Sequence, residues 1–214
     1  MPNVKSPAPL DRSFFEKDAL SCARDLIGVT LEFKGCSGVL IETEAYREFG
    51  DEACHLFSRP SARAFAEKNP PGTAYVYLNY GVHWLANVLC RDPESGEVGL
   101  VLFRALEPVL GIEDMEERRG TEKRVQLCSG PGKLTAALGI TQEHHETRYT
   151  ERGGPILTRT PNNDAWEVET DIRVGISRAV DLPWRFLAKD HPGVSVRKGR
   201  VKIPNSNREK SRKK

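Results

Sequence analysis

Apolar and polar residues alternate most clearly over Ile41–Tyr46. Ile41, Thr43 and Ala45 stand against Glu42, Glu44 and Tyr46, the period of a strand with two unlike faces. Runs rich in β-branched and aromatic residues predict strands over Thr30–Phe33, Val39–Tyr46, Tyr75–Tyr80, Val82–Leu89 and Gly99–Leu106, with a late strand over Trp184–Ala188. Helical spacing is rarer. Leu20, Ala23, Leu26 and Ile27 share one face of a helix over Ala19–Ile27, which Asp18 is placed to cap and Gly28 to end. A charged helix is predicted over Gly111–Arg119, and another from Pro131 to Gly139. Gly81 divides two strand-like runs, so a hairpin turning at Asn79-Tyr80-Gly81 and a kinked continuous strand both fit. From Thr141 to Asp164 the chain is polar and broken by Gly153-Gly154-Pro155 and Pro161-Asn162-Asn163-Asp164, which predicts loops. There is neither an internal repeat nor a dividing linker. The order of elements is that of an α+β protein.

Composition narrows this picture modestly. A chain of 214 residues makes one domain, or at most two small ones, and 38% hydrophobic with 29% charged residues is ordinary for a soluble globular protein. No apolar run approaches the roughly 18 residues of a membrane span. Residues 1–9 have no apolar core of a signal peptide and read as a disordered lead. The five cysteines, Cys22, Cys36, Cys54, Cys90 and Cys128, are odd in number, scattered and without a C-x-x-C pair. They suggest neither a zinc site nor a disulfide framework, and a reducing cytoplasm is the simplest compartment.

The net charge of +2 hides an asymmetry. Residues 197–214 hold nine Lys/Arg and one acid, leaving an acidic body. Such a tail fits an arm that touches nucleic acid or another anionic surface, and equally a solvated solubility tail.

Candidate chemistry centres on acids close to aromatics: Glu42, Glu44 and Tyr46, then His55, then Tyr75, Tyr77 and Tyr80. Aromatic faces beside a carboxylate suit an enzyme that stacks a planar base and attacks the sugar bond behind it. Each residue also has a plain structural role open to it. A lone strand glutamate is usually a surface acid, tyrosines fill sheets, and His55 lacks the neighbours a metal requires. His144-His145 is a loop pair without partner spacing. Ser129-Gly130-Pro131-Gly132-Lys133 is either a cap and turn or a helix start that offers N–H groups and Lys133 to a phosphate. It lacks the P-loop spacing.

Taken in order, a longer set of segments resembles the alkyladenine (3-methyladenine, N-methylpurine) DNA glycosylase family in its bacterial form. They are Ile41–Tyr46, Asp51–His55, Pro71–Gly81, Asn87-Val88, Leu102–Pro108 and Leu127–Leu134, with a looser match at Arg173–Ile176 and Pro183–Phe186. Together they span about residues 10 to 196, the expected glycosylase domain, followed by the basic tail 197–214. The resemblance implies a single mixed domain around a curved antiparallel sheet with a protruding hairpin. It implies no metal or organic cofactor, a monomer, and duplex DNA with alkylated or deaminated purines as partner. The expected product is an abasic site, with no strand-cleaving lyase step. By the same resemblance Glu44 is the general base and Arg104 lies beside the catalytic water. Tyr46, His55 and Tyr77 stack on the flipped base. Asn87 disfavours normal guanine, and Leu102 lines the pocket. Tyr80 enters the minor groove, and Ser129, Gly130 and Lys133 meet the DNA backbone.

Two segments depart from the family pattern. A basic run before the Pro-Gly is replaced by Ser61–Pro70, where two arginines are missing and Glu67 is added, and Asn79 stands where an aliphatic residue is usual. The roles of His83 and Trp84 stay open. Two other readings remain: a non-catalytic damaged-DNA-binding relative, and a hydrolase of free nucleosides or glycosides that pairs Glu42 with Glu44.

Overall fold

The computed structural model describes residues 7–159 and 166–202. The start of the lead, the expected loop at Pro161-Asn162-Asn163-Asp164 and the tail beyond Lys202 lie outside those residues. Eight strands form one antiparallel sheet: β1 (Thr30–Phe33), β2 (Cys36–Arg47), β3 (Ala74–Asn79), β4 (His83–Arg91), β5 (Val98–Leu110), β6 (Ile156–Thr158), β7 (Val168–Asp171) and β8 (Arg185–Ala188). Their order is β3-β4-β5-β2-β1-β6. β2 is shared: β1 pairs with Cys36–Val39, β8 with Glu42–Glu44, and β7 pairs onto β8.

Register decides which residues meet. Side chains directly across neighbouring strands share a face, as do alternate residues along one strand. Tyr75 lies across from Asn87, Asn87 from Leu102, Leu102 from Glu44, and Tyr46 from Leu100. Tyr75, Tyr77, Asn87, Leu102, Glu44 and Tyr46 therefore occupy one face. The alternate residues Val76, Ala86, Val88, Val101, Phe103 and Ala45 are buried in the main core on the other. That core is closed by α1 (Ala19–Asp25) and α6 (Pro131–Leu138), with Met115 of α4 (Ile112–Arg119) and Leu127 of α5 (Arg124–Leu127). A smaller core, with Leu56, Ala62, Phe65 and Leu100, packs α2 (His55–Ser58) and α3 (Pro60–Lys68) beside the site face.

The sheet curls where β2 and β5 lose register. One shift inserts Ile41 between Leu40 and Glu42, and the next skips Arg104 on β5. Bulges bend a strand and re-aim its side chains. The two shifts turn Glu42 and Arg104 toward each other.

The expected α+β sheet and its six strands are present, several of them longer. β5 runs on past Leu106, the expected end, through Pro108 to Leu110. It does so beside a register shift at Gly38, where an added Cβ would lie 2.1 Å from Leu106. Asp18 caps α1 through the Leu20 and Ser21 N–H groups, and Gly139, in left-handed conformation, ends α6. The kinked-strand alternative is gone. Val82 N–H closes a turn on the Asn79 carbonyl (3.1 Å), with Tyr80 (φ 50°) and Gly81 (φ 70°) at its corners. α2, α3, α5 and β7 are short elements outside the expected set, and β6 corrects the expected loop over Thr141–Asp164: Ile156–Thr158, buried and mostly apolar, pairs with β1. Pro60 at the first position of α3 was the available signal.

Candidate active site

Glu44 sits mid-strand on β2, fully buried. A carboxylate offers about four acceptor sites. Glu44 Oε1 accepts from Val174 N–H (2.7 Å), and Oε2 accepts from the Tyr46 hydroxyl (2.8 Å) and lies 3.3 Å from Arg104 Nη1. One site is left. Glu42, two residues earlier and equally buried, is bonded more heavily, with three donors on Oε1 and one on Oε2. Its oxygens accept from Arg104 Nε (2.9 Å), Arg185 Nη1 (2.9 Å), the Ser195 hydroxyl (2.8 Å) and the Ser195 N–H. Strand alternation did bring the two acids to one face. Their surroundings separate them: Glu42 is tied to two guanidinium groups, Arg104 and Arg185, and carries four donors against the three on Glu44, which weighs against Glu42 as the second group of a carboxylate-pair hydrolase.

The charges around them form one buried network. Arg185 also binds Asp171 (2.6 Å), and Arg173 pairs with Asp51 through both terminal nitrogens (2.6 and 2.7 Å) while lying over the Tyr46 ring at 4.6 Å. With every group charged, four carboxylates meet three guanidinium groups, an excess of one negative charge. Burial opposes the charge on Arg104, but Glu44 and Glu42 outweigh it and hold the side chain firmly protonated. Tyr46 is pushed well above the usual phenol range, by burial first and then by Glu44, and so remains a hydrogen-bond donor.

A cavity of about 310 Å³ is lined by Tyr46, His55, Arg59, Tyr75, Tyr77, Asn87 and Ile176 among others, and Glu44, which is not part of its wall, lies behind its partner Tyr46. Its size is at the small end for ligand pockets, suited to a single flat ring system. His55 lies at the start of α2. Its ring stands 4.4 Å from that of Tyr77, and Nδ1 is 3.1 Å from the Tyr75 hydroxyl. Burial, helped by Arg59, lowers its pKa to about 4, which leaves the imidazole neutral at physiological pH. The Asn87 amide donates to the Tyr75 carbonyl (3.0 Å), which fixes its orientation at the cavity wall. Leu102 and Arg104 line an adjoining space of about 250 Å³ together with Tyr80, Pro131 and Val174. Tyr80 itself is 89% exposed at the hairpin tip, flanked by the exposed Leu78 and Val82.

Ser129, Gly130 and Lys133 lie at the start of α6, beside the second space, with Lys133 exposed and its ammonium 3.4 Å from the Ser129 hydroxyl. Gly132 admits the hairpin base, for an added Cβ would stand 2.8 Å from His83. Trp84 accepts the Thr135 hydroxyl at its carbonyl (2.7 Å). His83 and Trp84 thus anchor the hairpin to α6. In the departing segment, Arg63 binds the Leu56 and Phe57 carbonyls and Phe65 packs on Tyr75 and His145. That segment serves the fold of the cavity wall, with Glu67 exposed. His144 and His145 are structural: one caps the turn at Thr141, and the other accepts the Val76 N–H.

Sequence reasoning missed the part contributed from residue 173 onward: Arg173, Val174, Arg185 and Ser195. A signal was present. Arg173 and Arg185 each stand between apolar neighbours, Ile172 and Val174 or Trp184 and Phe186, a setting that demands a buried acid as partner. Among the described residues no cluster of His, Cys, Asp and Glu is arranged to hold a metal, and no helix is long and apolar enough to cross a membrane.

A family model described as methylpurine-DNA glycosylase (MPG) matches residues 13–192. Relatives from Bradyrhizobium diazoefficiens (44% identical over 181 residues, 85% of this chain and 88% of the relative) and Agrobacterium fabrum (46% over 175, 82% and 86%) are each named "Putative 3-methyladenine DNA glycosylase". A relative of the same name from Rhodopseudomonas palustris is 43% identical over 199 residues, 90% of this chain and 96% of its own length. The chain belongs to the methylpurine-DNA glycosylase family.

Proposed function

We propose that this DNA repair glycosylase flips alkylated or deaminated purines out of duplex DNA and hydrolyses their N-glycosidic bond with Glu44 as general base. The observation that carries the reading is the buried Glu44, with one acceptor site left, whose hydrogen-bond partners Tyr46 and Val174 line an aromatic-walled cavity of about 310 Å³ and the space adjoining it. A water held at that site loses its proton to Glu44 as it attacks the anomeric carbon, and the base leaves with the bonding electrons. The sugar gains oxocarbenium-like positive charge, which the excess negative charge of the network favours. Tyr46, Tyr77 and the neutral His55 form the walls. An alkylated, cationic purine meets electron-rich rings there. Asn87 and Leu102 shape the pocket, and Arg104 orients the water and the nucleotide.

Tyr80 fills the gap left in the stack, while Ser129, Gly130 and Lys133 meet the backbone. Residues 10–196 form the catalytic domain. The segment 197–214 is a basic arm that adds salt-dependent affinity. The enzyme acts as a monomer, without cofactor, in the cytoplasm and on the nucleoid.

The test is incubation with duplexes carrying 3-methyladenine, 7-methylguanine, hypoxanthine or ethenoadenine, followed by alkali. Strand breaks at the lesion, absent with undamaged duplex and with Glu44→Gln, are expected. Lesion binding by the parent protein without breaks would assign it to the non-catalytic class.

A further inference from the structure

The guanidinium of Arg104 is held at each of its three nitrogens by a different partner. Nε donates to Glu42 (2.9 Å), Nη2 to the Ser195 hydroxyl (2.9 Å), and Nη1 faces Glu44 at 3.3 Å. The contact with Glu44 is the longest of the three. An arginine beside a free carboxylate otherwise prefers a close, two-bond fork, and such a fork would take up the acceptor site that Glu44 keeps open. Glu42 and Ser195 prevent it. The Ser195 hydroxyl accepts from Arg104 and donates to Glu42 at once, and its N–H binds the second Glu42 oxygen. Arg185, itself tied to Asp171, binds the same Glu42 oxygen as Arg104 Nε and the Ser195 hydroxyl. Among these groups, Ser195 alone lies outside every strand, on the segment that follows β8.

We propose that Glu42 and Ser195 are positioning residues that hold Arg104 back from Glu44, so that Glu44 keeps a lone pair for water. This rests on the reading of Glu44 as the general base and assigns to the segment after β8 a function inside the active site.

The test uses the full-length parent, Ser195→Ala, Ser195→Thr and Glu42→Gln, with Glu44→Gln as the blank. Single-turnover excision is measured across pH on a lesion duplex. Affinity is measured on the same duplex with a non-hydrolysable 2′-fluoro lesion nucleotide. Ser195→Ala is expected to slow excision about tenfold, the scale of one lost hydrogen bond to charged groups, with affinity within about twofold. The acidic limb of its rate profile moves to lower pH, because a closer Arg104 favours the charged carboxylate. Ser195→Thr, which keeps the hydroxyl, restores the rate, and Glu42→Gln shows the larger loss.

An unchanged rate and pH profile in both Ser195→Ala and Glu42→Gln overturns the proposal. So does a loss of rate and affinity in equal measure with a lowered melting temperature, which would give these residues a role in folding alone. A parent that releases no base removes the general-base reading itself, and this inference with it.

Discussion

Glu44 and Tyr80 represent two ways of building a functional region. Glu44 is fully buried on a central strand, and each of its bonds reaches a group the fold itself requires. Tyr80 is 89% exposed, on a hairpin held to the body at its base by His83 and Trp84. The difference follows from what each is proposed to do. A charge that must lie within a fraction of an ångström of its target needs a desolvated setting in which most of its acceptor sites are bonded. A plug for a vacated base stack must project from the body. The tip does carry a local cost. Tyrosine at φ 50° is a strained conformation, worth about 1–3 kcal/mol, which the paired strands below it hold in place.

The sharpest test of the buried half is Glu44→Gln. Single-turnover base release should fall about 10²–10⁴-fold, while affinity for lesion duplex changes little. A rate close to the parent's would move the base to another residue. Second in size is Arg173→Ala, which strands Asp51 and removes the cation over Tyr46. Breaking a buried pair from one side should cost about 3–5 kcal/mol in urea unfolding. A loss under about 1 kcal/mol would mean that the wall is held by its strands rather than by its charges.

Tyr80→Ala probes the exposed half. The unfolding midpoint should hold. Excision from fully paired duplex should drop about tenfold, and less from a bulged or mismatched lesion, where flipping is already cheap. An equal drop in both would mean that Tyr80 acts through the cavities it lines rather than as a plug, and the contrast drawn here between the two regions would fail.

The smallest effect belongs to His55. Its folded pKa lies near 4, below the unperturbed value of about 6.5. The fold therefore favours the neutral ring. The stabilisation is complete above about pH 6.5 and is lost as pH falls toward 4. His55→Gln should flatten that part of the stability profile and leave pH 7 untouched, and an NMR titration should find the imidazole neutral down to about pH 5. A midpoint near 6.5 would show that the ring is in open water.

The strand half of this site was legible because alternation is a strong signal. Glu42, Glu44 and Tyr46 on one run, and Tyr75 and Tyr77 on another, declared their faces before any pairing was known. Register could not be read that way, nor could the shifts at Ile41 and Arg104 that aim Glu42 at an arginine. The contributions of Val174 and Ser195 left no trace in the pattern. One acts through its backbone N–H, which every residue other than proline has. The other is a serine in a stretch without periodicity. The family resemblance singled out Glu44 over Glu42, two residues away, and a physical difference between them emerged only when their hydrogen-bond donors were counted.

The spans bridged by the site set an order of events during synthesis. Val174 reaches Glu44 across 130 residues, and Ser195 reaches Glu42 across 153. Contacts between such distant parts of a chain form late. A ribosome-bound chain can hold β2 to β5 while Glu44, the proposed general base, still lacks the partners that set it. If Glu44 is the base, its setting is complete only once the chain has been made through Ser195.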